Sequence, residues 1–174
     1  MKKAVYIIGF LLSCMGVHAQ GEAKENHHKI GVALTHVNIS SGIDGSGNKW
    51  LTLPGFSLDY DYRICEKWSL GLHTDIIIEK FAVEENLSSE GKTLERSYPI
   101  APAIMGSRRF GHHTVMFGAG AEFAKEENLF LNRIGYEYGI EIGEKWEVAA
   151  GLNYDFRWNA YDSYILGIVI GRSF

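Results

Sequence analysis

Trp146-Glu147-Val148-Ala149-Ala150-Gly151-Leu152-Asn153-Tyr154-Asp155-Phe156-Arg157-Trp158 decides the fold. Every second residue, from Trp146 through Val148, Ala150, Leu152, Tyr154 and Phe156 to Trp158, is apolar. The residues between them, Glu147, Ala149, Gly151, Asn153, Asp155 and Arg157, are small, polar or charged. A helix would scatter both sets around its circumference. A strand places them on opposite faces, because successive side chains point to opposite sides of a pleated chain.

The same period recurs outward from this segment in both directions. It picks out His28 to Val37, Trp50 to Ile64, Lys67 to Phe81, Leu94 to Arg109, His112 to Lys125, Leu129 to Ile142 and Tyr161 to Phe174. With the first segment these make eight strands. Cys65-Glu66, Phe110-Gly111 and Gly143-Glu144-Lys145 are tight connections, whereas Asn38 to Lys49 and Ala82 to Thr93 are long and polar. Cys65-Glu66-Lys67-Trp68 and Gly143-Glu144-Lys145-Trp146 repeat one turn pattern. Short antiparallel connections make a meander, and eight strands in a meander can close. The expected fold is therefore all-β, an eight-stranded antiparallel up-and-down barrel, and the composition of its two faces, below, makes it a transmembrane β-barrel.

Composition agrees with one such domain. The chain has 174 residues, 46% hydrophobic and 22% charged, and a formal charge of -4, which argues against nucleic acid as a partner. Its longest mainly apolar run, Ala4 to Val17, is too short for a spanning helix. Preceded by Met1-Lys2-Lys3 and followed by His18-Ala19, that run reads as a secretory signal cleaved after Ala19. Residues 1-19 are thus expected to leave, and 20-174 to form a single barrel domain. A second reading takes Leu11-Leu12-Ser13-Cys14 as a lipobox, which Leu12 fits poorly. With Cys14 gone, Cys65 stands alone, and one cysteine makes neither an intramolecular disulfide nor a metal motif.

Alternation does not by itself say which face meets water. The composition of the second face does. It carries Gly31, Gly55, Gly71, Gly118, Gly120, Gly135, Gly139, Gly151, Gly167 and Gly171, with Ala33, Ala101, Ala103 and Ala149. Between them stand Arg63, Arg109, Arg133 and Arg157 against Asp59, Asp61, Asp75, Glu79, Glu122, Glu137, Glu141, Glu147 and Asp155. Small residues and charges of both signs suit a narrow, ion-paired lumen, which leaves the apolar face for lipid. Tyr60, Tyr62, Trp68, Trp146 and Phe174 gather near the tight turns, and Trp50, Phe130, Phe156, Trp158 and Tyr161 near the opposite loops. These are the expected interfacial girdles.

On these residues the mature chain resembles, over its whole length, the small eight-stranded outer-membrane barrels of the OmpA/OmpX type, in the version common in Bacteroidetes. Tyr164, Leu166, Ile168, Ile170 and Phe174 resemble that family's C-terminal assembly signal, with Arg172 where an apolar residue is usual. The resemblance implies an outer-membrane location, with outer-membrane lipids and the assembly machinery as partners. It also implies a monomer whose termini and tight turns face the periplasm and whose long loops face outside, toward an extracellular ligand the sequence does not name.

Turn positions set a register for the lumen. Around Gly143 to Lys145, Glu141 faces Glu147, Glu137 faces Gly151 and Arg133 faces Asp155. Around Phe110-Gly111, Arg109 faces His112, which then falls beside Glu141. The expectation is an Arg133–Asp155 pair and a turn-end cluster of His112, Glu141 and Glu147 near Arg109. With Asp59, Asp61, Arg63, His73, Asp75, Glu137 and Arg157 these form one lumen ion network, because buried charges need partners. Its bland role is to rigidify the barrel; its functional alternative is an ion or proton path.

Catalytic, cofactor and metal motifs are absent from the sequence. Neighbouring histidines in His27-His28 and His112-His113 point opposite ways on a strand and chelate poorly. A lipid-modifying barrel enzyme would need a His-x-Ser, which the chain lacks; His36 with Asp162 and Ser163 is a loose substitute. The expected role is envelope-structural or surface interaction through the outer loops. A narrow transport pore, a lipid-modifying enzyme and a soluble barrel with an apolar ligand are the alternatives.

Overall fold

The computed structural model describes residues 27–43, 50–84, 93–158 and 160–174. The expected signal at residues 1–19, most of the polar start before His28, and parts of both long loops lie outside the described residues. Eleven strands follow in order: β1 (His28–Ile39), β2 (Gly42–Ile43), β3 (Leu51–Cys65), β4 (Trp68–Ile77), β5 (Lys80–Glu84), β6 (Thr93–Ser97), β7 (Ile100–Phe110), β8 (His113–Glu122), β9 (Leu129–Ile142), β10 (Trp146–Arg157) and β11 (Asp162–Ser173). Eight of them close into an antiparallel barrel in the order β1-β11-β10-β9-β8-β7-β4-β3. The first and last barrel strands pair from Lys29 opposite Ser173 to Ile39 opposite Ser163, so no edge is left open.

Burial alternates along each strand as the period-two sequence requires. On β1, Ala33, Thr35, Val37 and Ile39 are buried and Val32, Leu34 and His36 are exposed. The exposed side is an apolar belt: Leu34 is 68% exposed, Ile104 63%, Phe117 62% and Ile134 63%. Side chains of that size do not face water over a whole circumference. Tyr60, Tyr62, Trp146 and Phe174 ring the turn end, and Trp50, Phe130, Phe156 and Trp158 ring the loop end. Tyr161 departs from the expected girdle: it is fully buried inside the loop end.

Two expected strands are each divided. Lys67 to Phe81 breaks after Ile77, and Leu94 to Arg109 breaks at Tyr98-Pro99, where Tyr98 takes a left-handed φ of 49°. The detached pieces, β5 and β6, join β2 in a separate three-stranded sheet in the order β2-β5-β6. The long polar connections are therefore partly folded. Glu79, expected on the lumen face, is exposed at the break between β4 and β5.

This small sheet forms a cap over the loop end. Its Phe81, Val83 and Leu94 pack with Val37, Ile39, Leu53, Ile77, Leu129, Tyr161 and Ile165 of the barrel. Each such side chain contributes about 1.5–3 kcal/mol relative to exposure. Deeper in, Met105 and Met116 pack with Ala101, Ala103 and Leu131, while Ala33, Ala149 and Val169 form a third cluster. Small residues dominate these lower layers because the eight walls leave little room.

Candidate functional site

The interior charges form a chain along the barrel. At the loop end, Arg96 enters from the cap. Its Nε donates to Glu122 Oε1 at 2.8 Å, and its Nη1 donates to the Glu127 carbonyl at 2.6 Å. Glu122 also accepts from Arg157 Nε at 2.5 Å and from the Tyr161 hydroxyl, 2.7 Å from its Oε2. Arg157 continues to Ser163 Oγ at 2.8 Å and to Asp155 Oδ2 at 3.3 Å. Its guanidinium lies 4.5 Å from the Tyr161 ring centre. Asp155 then accepts two bonds from Arg133, at 2.6 Å from Nε and 2.7 Å from Nη2. Arg133 Nη2 also lies 2.5 Å from Asp75 Oδ2. Three arginines thus alternate with three carboxylates, and all six residues are buried.

Local sequence explains the alignment. The β9–β10 register sets Arg133 directly opposite Asp155. Asp75 is on β4, separated from β9 by the two strands β8 and β7. On those intervening strands Gly118 stands beside Arg133 and Ala101 beside Asp75, so the guanidinium can cross the lumen. Gly120 lets β8 approach β7 closely: a Cβ added there would lie 2.6 Å from the Ala103 Cα.

A second group lies toward the turn end. His73 Nε2 is 3.1 Å from Asp61 Oδ1, and its Nδ1 is 3.8 Å from Asp59 Oδ1. Ser57 Oγ donates to Asp59 at 2.7 Å. Below it, Lys29 Nζ reaches Glu147 at 2.7 Å. Gly171 permits that reach, since a Cβ there would lie 2.6 Å from the Lys29 Cε. Arg109 Nη2 is 3.0 Å from Glu141 and 3.3 Å from Glu147. A small cavity of about 50 Å³ between these groups is lined in part by Arg63, Asp61 and Glu137. Neither Arg63 nor Glu137 has an ion-pair partner among the described residues.

The sequence-derived register around Gly143 to Lys145 is that of the structure: Glu141 is opposite Glu147, Glu137 opposite Gly151 and Arg133 opposite Asp155. The Phe110 turn is one residue out. Phe110 pairs with His113, so Gly111-His112 makes the turn and Arg109 faces Thr114. Gly111 takes a φ of 62°, which selects it as a central turn residue. His112 therefore leaves the expected cluster; it is exposed, with Nδ1 3.0 Å from the Gly139 carbonyl. Lys29 takes its place beside Glu147. Arg96, Glu122 and Tyr161 complete the loop end, and Arg96 belonged to a segment expected as barrel wall. The signal for it was Pro99, which separates β6 from β7.

Among the described residues no three His, Cys, Asp or Glu side chains converge as a metal site. His36 points outward while Ser163 is buried beside Arg157, and Asp162 accepts from the Tyr154 hydroxyl at 2.9 Å. The loose His36, Asp162 and Ser163 grouping is not assembled as a triad. What the interior arrangement can do chemically is hold charge in fixed, mutually neutralising positions.

Apolar belt, aromatic girdles, closed strands and charged interior together define a transmembrane β-barrel. No protein-family model and no curated protein sequence matches the chain. Solved structures do. Ail, the attachment invasion locus protein of Yersinia pestis, in complex with the heparin analogue sucrose octasulfate, is 13% identical with a TM-score of 0.55, covering 84% of this chain and 97% of its own. Neisserial surface protein A is 10% identical with a TM-score of 0.53, covering 85% and 97%. The outer membrane protein AlkL, solved in lipid bilayers, is 10% identical with a TM-score of 0.52, covering 90% and 94%. The fold is that of the small eight-stranded outer-membrane barrels, and its lipid-facing belt makes the protein an integral membrane barrel.

Proposed function

We propose that this barrel is a closed, non-enzymatic scaffold of the outer membrane, with its cap turned to the outside as a surface for contact. The observation that carries the reading is the alternating chain Arg96–Glu122–Arg157–Asp155–Arg133–Asp75. It occupies the interior from the cap inward, and each guanidinium is held by at least one carboxylate. An ion entering such a lumen would have to part charges that already satisfy one another in a low-dielectric interior. The apolar cluster under the cap adds a second obstruction at the same end. Ile43 and Tyr98 remain exposed in and beside the cap, where a partner would meet them.

Planar-bilayer recording tests the closure. The purified barrel is expected to insert without conductance steps. Reproducible single-channel steps would favour the narrow-pore reading instead. A photo-crosslinker at Ile43 tests the contact surface in whole cells: adducts to an envelope or extracellular macromolecule are expected, and adducts to lipid alone would contradict it.

A further inference from the structure

Two arginines face the wrong way for an apolar belt. Arg108 and Arg172 both lie on exposed positions near the turn end. Arg108 stacks 5.1 Å from the Trp68 ring and 4.7 Å from the Phe110 ring. Arg172 lies 5.4 Å from the Trp146 ring. Among the described residues no carboxylate pairs with either. A cation on the lipid face of a barrel is destabilising at depth and tolerated near the interface, where anionic headgroups can neutralise it. Arg172 shares its row with Ile30 and Trp146, one row above the terminal Phe174, which places it at that interfacial level.

Arg172 has an apolar groove beside it. A depression of about 590 Å³ runs along the seam where β1 meets β11. Val32, Leu34, Ile168 and Ile170 line it, and Arg172 and Trp146 close its turn end. The groove is half open on its outer side and almost wholly apolar. A single cation at one end and hydrocarbon along the rest describe an amphiphile with an anionic head. Stacking on Trp146 orients the guanidinium while leaving its N–H edge free for bidentate contact with a phosphate.

We propose that the β1–β11 seam binds one glycerophospholipid of the leaflet at the turn end, with its phosphate on Arg172 and one acyl chain along the groove. This rests on the membrane placement of the barrel but not on its closure. It also accounts for a charged residue at a position where the terminal strand would otherwise be apolar on its outer face.

Native mass spectrometry of the purified, delipidated protein tests the site, with phosphatidylglycerol as probe and diacylglycerol of the same chains as the phosphate-free control. Wild type is expected to retain one phosphatidylglycerol and to discriminate against diacylglycerol. Arg172→Gln should weaken retention roughly five-fold or more, the effect of one interfacial cation, and Arg108→Gln should not. Ile168→Trp, which fills the groove and keeps Arg172, should weaken it as well, and decides the matter if Arg172→Gln fails to fold. Equal retention of diacylglycerol, equal loss in Arg108→Gln, or a second copy of the chain in place of lipid would overturn the proposal. Heat-modifiable migration on gels, read on every variant, separates the two levels. A folded barrel without selective lipid defeats the site alone, whereas a chain that never shows a detergent-resistant form defeats the membrane reading beneath it.

Discussion

Removal of the Arg133 guanidinium probes the interior most sharply. Arg133 is 1% exposed and bonds Asp155 through two N–H groups at 2.6 and 2.7 Å, while contacting Asp75. In Arg133→Ala, Asp155 keeps only Arg157, at 3.3 Å, and Asp75 keeps no arginine. Taking one partner from a buried ion pair costs about 3–5 kcal/mol, because the remaining charge is left without compensation. The vacated volume adds to this, since walls made of closed strands collapse little. Arg133→Met keeps most of the volume and isolates the charge effect, so it should still cost about 3 kcal/mol. The triple variant Arg133→Met, Asp75→Asn, Asp155→Asn removes the orphaned charges and should recover stability to within about 1–2 kcal/mol of wild type. Urea unfolding in lipid vesicles, followed by tryptophan fluorescence and by heat-modifiable migration, measures all three. An Arg133→Met barrel within about 1 kcal/mol of wild type, well below the loss expected for a broken buried pair, would refute the reasoning. So would a triple variant no more stable than the single one.

Four further outcomes follow from the same geometry. Arg96→Leu should detach the cap selectively, so that hydrogen exchange speeds at β5 and β6 amides while β9 and β10 stay protected; uniform acceleration would contradict a local latch. Tyr161→Phe removes a donor to the buried Glu122 carboxylate and should cost about 1.5–3 kcal/mol in the same unfolding assay, as expected for a bond to a charged group; no loss would mean the hydroxyl is dispensable. Gly120→Ala forces a Cβ against the Ala103 backbone and should cost about 1–3 kcal/mol, whereas Gly143, with open space where a Cβ would go but a φ of 73°, should resist substitution through backbone strain alone.

Much of the barrel was legible because one physical rule, alternation across a pleat, governs both faces. Trp146 to Trp158 alone separates outward from inward residues, and the three-residue turn before it fixes Arg133 opposite Asp155. The errors have definite causes. A tight turn can slide by one residue when both placements keep the alternation nearly intact, and only the left-handed φ at Gly111 decides between them. That slip carried His112 into a cluster it does not join. The cap was hidden for a related reason: β6 and the first two residues of β5 alternate like barrel strands, so periodicity assigns them to the wall, and it leaves Ala82 to Glu84 in a polar loop. Whether a strand continues the barrel or folds over its mouth depends on breaks such as Tyr98-Pro99 and on long-range burial of Phe81, Val83 and Leu94. The contact of Lys29 is not legible along the chain because it depends on Gly171, a neighbour across the β1–β11 seam.

The central claim is that one face of every barrel strand meets lipid and the other meets a charged interior. Single nitroxide labels placed in turn at positions 146 through 158, in protein lacking Cys14 and Cys65 and reconstituted in vesicles, test it directly. Relaxation by oxygen, which concentrates in the bilayer, should rise at Val148, Ala150, Leu152 and Tyr154 and fall at Ala149, Gly151 and Asn153. Relaxation by a water-soluble nickel complex should stay low on both faces through the middle of the strand. Oxygen access without a period of two, or high nickel access at Val148, Ala150 and Leu152, would contradict the account.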